Sequence, residues 1–325
     1  YKVDKRFIYS AAEAMAPYLR PGALVVLEST SPPGTTRDLA EYIVALRPDL
    51  TLDDDADNAI FVAHCPERVL PGQIMEEMES NDRVVGGLTP RGTEKATSLY
   101  RLFCTAELLQ TDATTAEMAK LTENSFRDVN IAFANELSLI SDKLGIDVWE
   151  LIELANHHPR VNILQPGPGV GGHCIAVDPW FIVSSAPEEA KIIELARKVN
   201  NGKPDWVIGK VEAALSELDN PVTATLGISF KSDIDDLRES PSLEIVKRLG
   251  IENPQMDIRV VEPNIAELPD SLSGMENVSL QDLEMALSAA DLVLLLVDHK
   301  EFKALDRARL EGKIVIDTRG VWRER

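Results

Sequence analysis

Short apolar runs alternate with helical segments at both ends of the chain, and this alternation restricts the fold more than any other feature. In the first third the runs are "ALVVLEST" (23–30), "NAIFVAHCPE" (58–67), "DRVVGG" (82–87) and "AELLQT" (106–111). Short buried strands separated by helices are typical of a parallel sheet covered on both faces. We therefore predict a doubly wound α/β domain over residues 1–112.

After Asn220 the alternation returns, which predicts a second α/β domain over residues 219–325. Its strands end in turn residues, and such carboxyl ends are where open α/β sheets bind ligands. The predicted strands are "VTATLGI" (222–228), "DIRVVEP" (257–263), "DLVLLLVD" (291–298) and "KIVIDTRG" (313–320).

Between these domains the apolar residues recur about every 3.6 residues, which predicts a central helical region over 113–218. Its first long helix has a Thr-x-x-Glu start signal at Thr114 and Glu117. A second helical stretch covers 187–218, and Pro204 inside it predicts a break or kink.

Charge and cysteine content narrow the class of protein. The chain has 33 Lys and Arg against 54 Asp and Glu, a net charge of −21, which argues against a broad nucleic-acid surface. A salt-rich cytoplasm or an ordinary acidic protein would each explain the excess. The three cysteines are odd in number and irregularly spaced, which favours a reducing compartment. The apolar runs are shorter than the ~18 residues that a membrane span requires, so we expect a cytoplasmic protein.

The segment "QPGPGVGGHCIAVDPWF" (165–181) matches the dinucleotide fingerprint G-x-G-x-x-G at Gly167, Gly169 and Gly172, and it also contains Cys174. A dinucleotide loop needs a strand before it and a helix after it. Here prolines precede the loop, and "HCIAVDPWF" reads as extended. We therefore interpret the fingerprint match as accidental.

Two interpretations of Cys174 remain open at this point. A lone cysteine is most often a small buried apolar residue. The glycines beside it, however, uncover backbone amides and let a ligand approach, which favours a thiolate nucleophile. The histidines and cysteines show no C-x-x-C or H-x-x-x-H spacing, so no metal site is predicted.

Polar residues at strand ends and on one helix face are further candidates for a site. Lys120 and Asn124 are one helical turn apart and share a face, with Arg127 close by. "STSPPGTT" (29–36), "CPERVLPG" (65–72) and "FKSDIDDLRESP" (230–241) each end a predicted strand. Each feature alone is common; their shared position at strand ends makes them informative.

Together these segments resemble the nucleotide-sugar 6-dehydrogenases, the UDP-glucose/GDP-mannose dehydrogenase family. "KLTENSFRDVNIAFANE" (120–136), "HPRVNILQPGPGVGGHC" (158–174) and "DTRG" (317–320) carry the likeness along with the strand-end segments. The loop is most similar to members that oxidise UDP-N-acetyl-D-mannosamine to its uronic acid. The resemblance implies two Rossmann-like domains joined by long central helices, NAD as cofactor and a homodimer built on those helices.

The resemblance also implies roles for individual residues. Cys174 is the expected nucleophile, which captures the C6 aldehyde as a thiohemiacetal whose oxidation gives a thioester, with Lys120 and Asn124 stabilising the oxyanion. Asp178, Glu67 and Thr30 are expected near the hydrolytic water. Substrate contacts are expected from Arg68, Val69, Arg127, His158, Arg160, Gly171, Phe230, Lys231 and Arg319, with His158 and Arg160 supplied by the partner subunit. Thr30 and Arg238 are the expected contacts to NAD.

The chemistry that the resemblance implies is a four-electron oxidation, because an alcohol becomes an acid. It needs two hydride transfers and so two NAD molecules, and a covalent sulfur intermediate keeps the aldehyde from escaping between them. Val177 stands where UDP-glucose enzymes usually have lysine, which favours a 2-acetamido sugar. UDP-GlcNAc or UDP-glucose oxidation, or a catalytically silent UDP-sugar-binding and dimerisation fragment, are the alternatives.

One part of the family pattern is not found. No apolar strand, glycine-rich turn and helix precede Ala23, although a nucleotide-binding sheet normally opens with them. We therefore expect residues 1–112 to form only the carboxyl-terminal portion of the NAD-binding Rossmann domain. On this expectation the chain binds a UDP-sugar but binds NAD poorly.

Overall fold

The computed structural model describes residues 3–69, 74–172 and 174–323. The chain divides into two compact units. Unit 1 is formed by residues 1–126 and 177–191, and unit 2 by residues 127–176 and 192–325. No helix in the described part of the chain is both long enough and apolar enough to cross a membrane.

Helices and strands alternate through both ends of the chain. The strands are β1 (Leu24–Leu27), β2 (Phe61–His64), β3 (Arg83–Gly87), β4 (Leu108–Asp112), β5 (Val222–Leu226), β6 (Asp257–Val261), β7 (Val278–Leu280), β8 (Leu292–Leu295) and β9 (Ile314–Asp317). The helices are α1 (Arg6–Met15), α2 (Thr35–Leu46), α3 (Ile74–Ser80), α4 (Pro90–Tyr100), α5 (Ala113–Leu144), α6 (Val148–Asn156), α7 (Asp178–Ser185), α8 (Lys191–Leu215), α9 (Pro241–Glu252), α10 (Asp270–Ser273), α11 (Leu283–Ala289) and α12 (Lys300–Lys303).

The sheet of unit 1 has the order β1-β2-β3-β4. Strand β1 packs on both sides, because Val25 and Leu27 pack with α2 while Leu24 and Val26 pack toward Tyr100 of α4. Successive side chains of a strand point to opposite faces, so both faces of this sheet are covered. One pair departs from the expected parallel order: β2 and β3 are antiparallel.

The sheet of unit 2 has the order β7-β6-β5-β8-β9, and all its neighbouring strands are parallel. Side chains of α8 and α9 pack on one face, and those of α11 and α12 pack on the other. The direction of strand order reverses between β5 and β8, which makes the space beyond their carboxyl ends the usual place for a ligand. These two covered sheets and the long helices confirm the predicted α/β fold class.

A chain of buried polar groups joins the two long helices of unit 2 to the loop before Cys174. Arg197 Nη1 lies 2.6 Å and Asn200 Nδ2 2.7 Å from Asp128 Oδ1. Asn135 Nδ2 donates to Asn200 Oδ1 at 2.9 Å, and Asn135 Oδ1 accepts from the amide of Gly167 at 2.9 Å. These buried hydrogen bonds connect α5, α8 and the loop, and together they favour one arrangement of the three.

Pro204 does not break the second long helix, so the first of the two expected outcomes, a break or a kink, does not occur. It lies inside the continuous helix α8. Since proline has no amide hydrogen, the carbonyl of Asn200 one turn earlier loses its helical partner. That carbonyl faces Gly169, so the proline sits where α8 meets the loop.

The start of α5 also differs from the prediction. Thr114 and Glu117 do not form the expected capping box. The side chain of Asp112 accepts a hydrogen bond from the Thr115 amide at 3.0 Å, and the helix begins at Ala113.

The buried Arg197–Asp128 pair provides a test of how unit 2 is held together. Both side chains are almost fully buried. In Asp128→Ala the guanidinium loses its carboxylate inside the protein, so we expect the free energy of unfolding to fall by about 3–5 kcal/mol. Glu194→Ala, which removes the exposed partner of Lys198 on the same helix, should cost about 0.5 kcal/mol or less. Urea unfolding followed by circular dichroism measures both; equal losses would contradict the assigned importance of the buried pair.

Candidate active site

In unit 1, Asn124 and Asp178 form a buried pair. Asn124 Nδ2 donates to Asp178 Oδ2 at 2.6 Å, and the two residues are 8% and 4% exposed. Asp178 is the first residue of α7, where the positive end of the helix dipole favours a carboxylate. Lys120, half-buried, lies one turn before Asn124 on α5. Two predicted catalytic residues, Asn124 of α5 and Asp178 of α7, are therefore in direct contact, and Lys120 shares the helix of Asn124.

Glu67 stabilises the bend that follows β2. Its Oε1 accepts the backbone amides of Arg68 at 2.6 Å and Val69 at 2.8 Å. The Glu67 amide donates to the carbonyl of Glu28, beyond the end of β1. Arg68 forms an ion pair with Glu123 of α5. These contacts fix the start of the predicted "CPERVLPG" segment, whose residues 70–72 lie outside the described residues.

Glu117 is a positioning residue that the sequence reasoning missed. Its buried carboxylate accepts the amide of Gly34 at 2.6 Å, the amide of Thr36 at 2.7 Å and the Thr36 hydroxyl at 2.6 Å. These groups form the amino-terminal end of α2, so Glu117 caps that helix from α5. It thereby holds the turn after β1 that carries Thr30, a half-buried predicted site residue.

In unit 2, Cys174 lies half-buried at the end of a glycine loop, defined here as residues 165–172. The loop packs closely on the segment after β5. A Cβ on Gly171 would lie 2.5 Å from the carbonyl oxygen of Glu239, and Gly172 has φ 84° beneath the ring of Phe230. The missing side chains of these glycines therefore leave space for other parts of the protein. The sequence analysis had expected that space to admit a ligand.

The predicted substrate contacts Phe230 and Lys231 follow β5, and Arg319 follows β9. A Cβ on Gly167 would lie 2.6 Å from Nη1 of Arg319, so this arginine also touches the glycine loop. Arg319 is held in turn by Asp298, which accepts from its Nε at 3.1 Å. Phe230 and Arg319 thus both pack against the glycine loop, which contains Gly171; their contacts to substrate stay a prediction.

Arg238 belongs to the same unit as Cys174. A hydrogen bond with Asp236 raises the pKa of the exposed Arg238 guanidinium. The family resemblance implies that Arg238 contacts NAD, and this role stays a prediction.

The other predicted substrate residues of unit 2 are exposed. Arg127 lies on α5, and His158 and Arg160 lie in the loop after α6, where the Arg160 amide donates to His158 Nδ1 at 3.3 Å. Within the described part of the chain, no hydrogen bond connects these three residues to Phe230 or Arg319.

Residues 174–177 form turns and helix α7 follows them, so the expectation of extended chain there was wrong. Helix α7 begins at Asp178, with Pro179 in its first turn. Proline is favoured there because the first amides of a helix have no intrahelical partner. Among the described residues of 157–177 no strand precedes the glycines, so the fingerprint still lacks one of its two required flanks.

His64 and Cys65 belong to the core of unit 1. Burial lowers the pKa of His64 to about 4 and raises the pKa of Cys65, so both are neutral near pH 7. In the described part of the chain no three His, Cys, Asp or Glu side chains are arranged to hold a metal ion; His173 lies outside it.

Comparison with protein families matches the chain in three consecutive parts. All three belong to the UDP-glucose/GDP-mannose dehydrogenase family: the NAD binding domain over residues 1–104, the central domain over 114–202 and the UDP binding domain over 224–324.

Curated relatives are similar over nearly the whole chain. An NDP-N-acetyl-D-galactosaminuronic acid dehydrogenase of Ralstonia nicotianae is 56% identical, covering 98% of this chain and 75% of its own length. A UDP-N-acetyl-D-mannosamine dehydrogenase of Yersinia pestis is 54% identical, covering 99% of this chain and 79% of its own. Among solved structures, the UDP-D-ManNAc dehydrogenase of Pyrococcus horikoshii is 37% identical with a TM-score of 0.84, covering 99% of this chain and 75% of that one.

Gly171→Ala tests the packing of the glycine loop. Its new Cβ would collide with the Glu239 carbonyl, so we expect the free energy of unfolding to fall by about 1–3 kcal/mol, as in other overpacked sites. Gly209→Ala in α8, where a Cβ meets nothing within 4 Å, should be neutral or stabilising. Urea titration measures both changes. A Gly171→Ala protein as stable as the Gly209→Ala protein would show that the contact is loose.

Proposed function

The chain belongs to the UDP-glucose/GDP-mannose dehydrogenase family, and on that basis we propose that it oxidises UDP-N-acetyl-D-mannosamine at C6 to the uronate. It is an NAD-dependent UDP-sugar dehydrogenase, as the family and its relatives are. The observation that carries the finer proposal is the half-buried Cys174 beside a loop packed on the segment with Phe230 and Lys231. This places the thiol and the proposed UDP contacts in one unit.

The sugar is proposed from the relatives and from one position in the sequence. The names of the two curated relatives both specify 2-acetamido sugars. Val177, where UDP-glucose enzymes usually have lysine, agrees with a 2-acetamido substrate. The Ralstonia relative makes the N-acetyl-D-galactosamine compound the second candidate. UDP-GlcNAc, UDP-glucose and a silent binding fragment remain the alternatives to be excluded by assay.

The NAD-binding domain implies NAD, and the sheet of unit 1 fits such a cofactor. Strands β1 and β2 are parallel and in register from Leu24↔Phe61 to Leu27↔His64, so their carboxyl ends share one edge. Thr30 follows that edge, where open α/β sheets bind nucleotides. Thr30 and Arg238 are the residues that we propose to contact the cofactor. When bound, NAD accepts a hydride from C6 in each of the two oxidations.

The proposed covalent chemistry depends on Cys174. After the first oxidation its thiolate adds to the C6 aldehyde and forms a carbon–sulfur bond. Lys120 and Asn124 stabilise the oxyanion of the resulting thiohemiacetal. The second oxidation removes the C6 hydrogen with its electron pair and leaves a thioester. Water then attacks the carbonyl, the carbon–sulfur bond breaks, and the uronate and the Cys174 thiolate are released.

Hydrolysis of the thioester is assigned to two carboxylates of unit 1, the buried Asp178 and the half-buried Glu67. Asp178, held by Asn124 at 2.6 Å, is the proposed acceptor of the water proton. Glu67 accepts both of its backbone hydrogen bonds through Oε1. Its other carboxylate oxygen, Oε2, and the Thr30 hydroxyl are the groups proposed to contact the water. We propose that these groups orient the water.

The roles proposed in substrate binding are those that the family resemblance implies. Phe230, Lys231 and Arg319 are proposed to contact the UDP group, and Gly171 the sugar. Arg68, Val69 and Arg127 are proposed as further contacts, and His158 and Arg160 as contributions from a partner subunit. The cytoplasm is the proposed location, because the reaction consumes NAD and the cysteines are odd in number.

A homodimer through the central helices is supported by an exposed apolar stripe on α5. Phe133, Ile140 and Leu144 are seven and four residues apart, so they lie on one helix face. They are 53%, 45% and 66% exposed. An apolar row of this kind marks an interaction surface more often than a solvated one.

The stripe gives a direct test of the dimer. Phe133→Asp places a charge in the proposed interface, so we expect it to convert the dimer to a monomer in sedimentation equilibrium. Ile251→Asp, at a position 61% exposed on α9, should leave the dimer intact. A monomeric wild-type protein would contradict the proposed assembly.

The proposed reaction predicts two NADH and one uronate per UDP-N-acetyl-D-mannosamine, measured by absorbance and by mass spectrometry of the product. The same assay is run with the N-acetylgalactosamine and N-acetylglucosamine forms of the substrate and with UDP-glucose. Cys174→Ala should abolish uronate formation, while Cys104→Ala, a buried cysteine of unit 1, should retain it. Uronate formed by Cys174→Ala would remove this residue from the mechanism, and no NADH with any UDP-sugar would refute the proposed activity.

A further inference from the structure

Two adjacent residues, Asp298 and His299, follow β8 at the switch point of the unit 2 sheet. The His299 side chain is fully buried, and the Asp298 side chain is 19% exposed. Neither residue has a role in the reaction proposed above. Their side chains nevertheless contact the segments that carry the proposed UDP-binding residues.

His299 is fixed in one tautomer by its neighbours. Its Nδ1 accepts the backbone amide of Asp233 at 2.9 Å, so this nitrogen carries no proton. The proton therefore lies on Nε2, which donates to the carboxylate of Glu262 at 3.1 Å. The imidazole ring of His299 thus connects the backbone amide of Asp233 to the buried carboxylate of Glu262.

Glu262 extends this contact to the start of the same segment. It follows β6, and its Oε2 accepts the amides of Ile228 at 2.8 Å and Ser229 at 3.1 Å. Burial alone would raise its pKa, but the hydrogen bonds from His299 and from Ile228 and Ser229 outweigh burial and lower it. Glu262 is therefore ionised near pH 7, and residues 228–233 are held at both ends by the Glu262–His299 pair.

Asp298 holds the other proposed UDP contact. Its Oδ1 accepts from Arg319 Nε at 3.1 Å and lies 3.0 Å from Nη2, a two-point contact that fixes the plane of the guanidinium. Its Oδ2 lies 2.6 Å from Lys303 Nζ. Asp298 also accepts from the Ser232 hydroxyl at 3.4 Å. One carboxylate therefore connects Arg319 to the segment after β5.

We propose that Asp298 and His299 are positioning residues for the UDP group of the substrate. His299 fixes the backbone of residues 228–233, which carries Phe230 and Lys231, and Asp298 fixes the side chain of Arg319. This inference rests on the proposed function, because those three residues are the proposed UDP contacts. Ordering them before the ligand arrives removes an entropic cost from binding.

A positioning role of this kind predicts which kinetic parameter changes. The UDP group is distant from the reacting C6, so its contacts are equally strong in the ground state and the transition state. Losing them should raise KM for the UDP-sugar and leave kcat nearly unchanged. The KM for NAD should not change.

The direct test is titration calorimetry of this chain with UDP alone. Asp298→Asn and His299→Gln should each weaken UDP binding roughly ten-fold, as expected for losing a charge-assisted or buried hydrogen bond. His299→Asn places an amide oxygen near the position of Nδ1, where it can still accept the Asp233 amide, so it should bind within about three-fold of wild type. Lys303→Gln, on the other side of the Asp298 carboxylate, is the matched control and should bind like wild type.

A double-mutant cycle separates positioning from general destabilisation. If Asp298 acts through Arg319, Asp298→Asn should cost nothing further in an Arg319→Gln background. Additive losses would overturn the assignment of Asp298. Wild-type affinity in Asp298→Asn and His299→Gln would overturn the whole inference, even if both variants unfold at lower temperature. A wild-type chain that does not bind UDP would instead refute the proposed function, and this inference with it.

Discussion

The close packing of the glycine loop on the segment after β5 is the contact on which the chemistry of unit 2 depends. No side chain fits between Gly171 and the Glu239 carbonyl, and Arg319 covers Gly167. The thiol of Cys174 is therefore carried by the same packed body as Phe230. The packing within that body fixes the position of a bound UDP-sugar relative to the cysteine. Binding therefore has a smaller entropic cost than it would have if two mobile loops had to become ordered.

Three buried carboxylates stabilise the segments around the proposed site, although the chain as a whole has an excess of acid. Glu117 holds the turn after β1, Glu262 holds the start of the segment after β5, and Asp128 joins α5 to α8. A buried carboxylate is costly unless several donors compensate it. Each of these three accepts at least two hydrogen bonds, so each connects elements that are far apart in sequence.

The sequence predicted what depends on local pattern and missed what depends on distant contacts. The strands of both domains were found because apolar runs reveal buried strands, but β7, with only three residues, is too short to leave such a pattern. Helix α7 was missed because the segment "HCIAVDPWF" has the pattern of an extended chain, whereas residues 178–185 are helical. The contacts of Cys174, Phe230 and Arg319 came from family resemblance. Glu117 was expected to cap α5, the helix that contains it, whereas it caps α2. No local sequence pattern reveals a carboxylate that caps a different helix.

The central claim is that Cys174 becomes covalently bound to the substrate carbon during turnover. The most direct measurement is acid quenching of the enzyme with UDP-N-acetyl-D-mannosamine and NAD, followed by mass spectrometry of its peptides. The account predicts that the peptide containing Cys174 carries the mass of the UDP-sugar acyl group, and that the adduct disappears when substrate is exhausted. An unmodified Cys174 during steady uronate production, or an adduct on another residue, would contradict it.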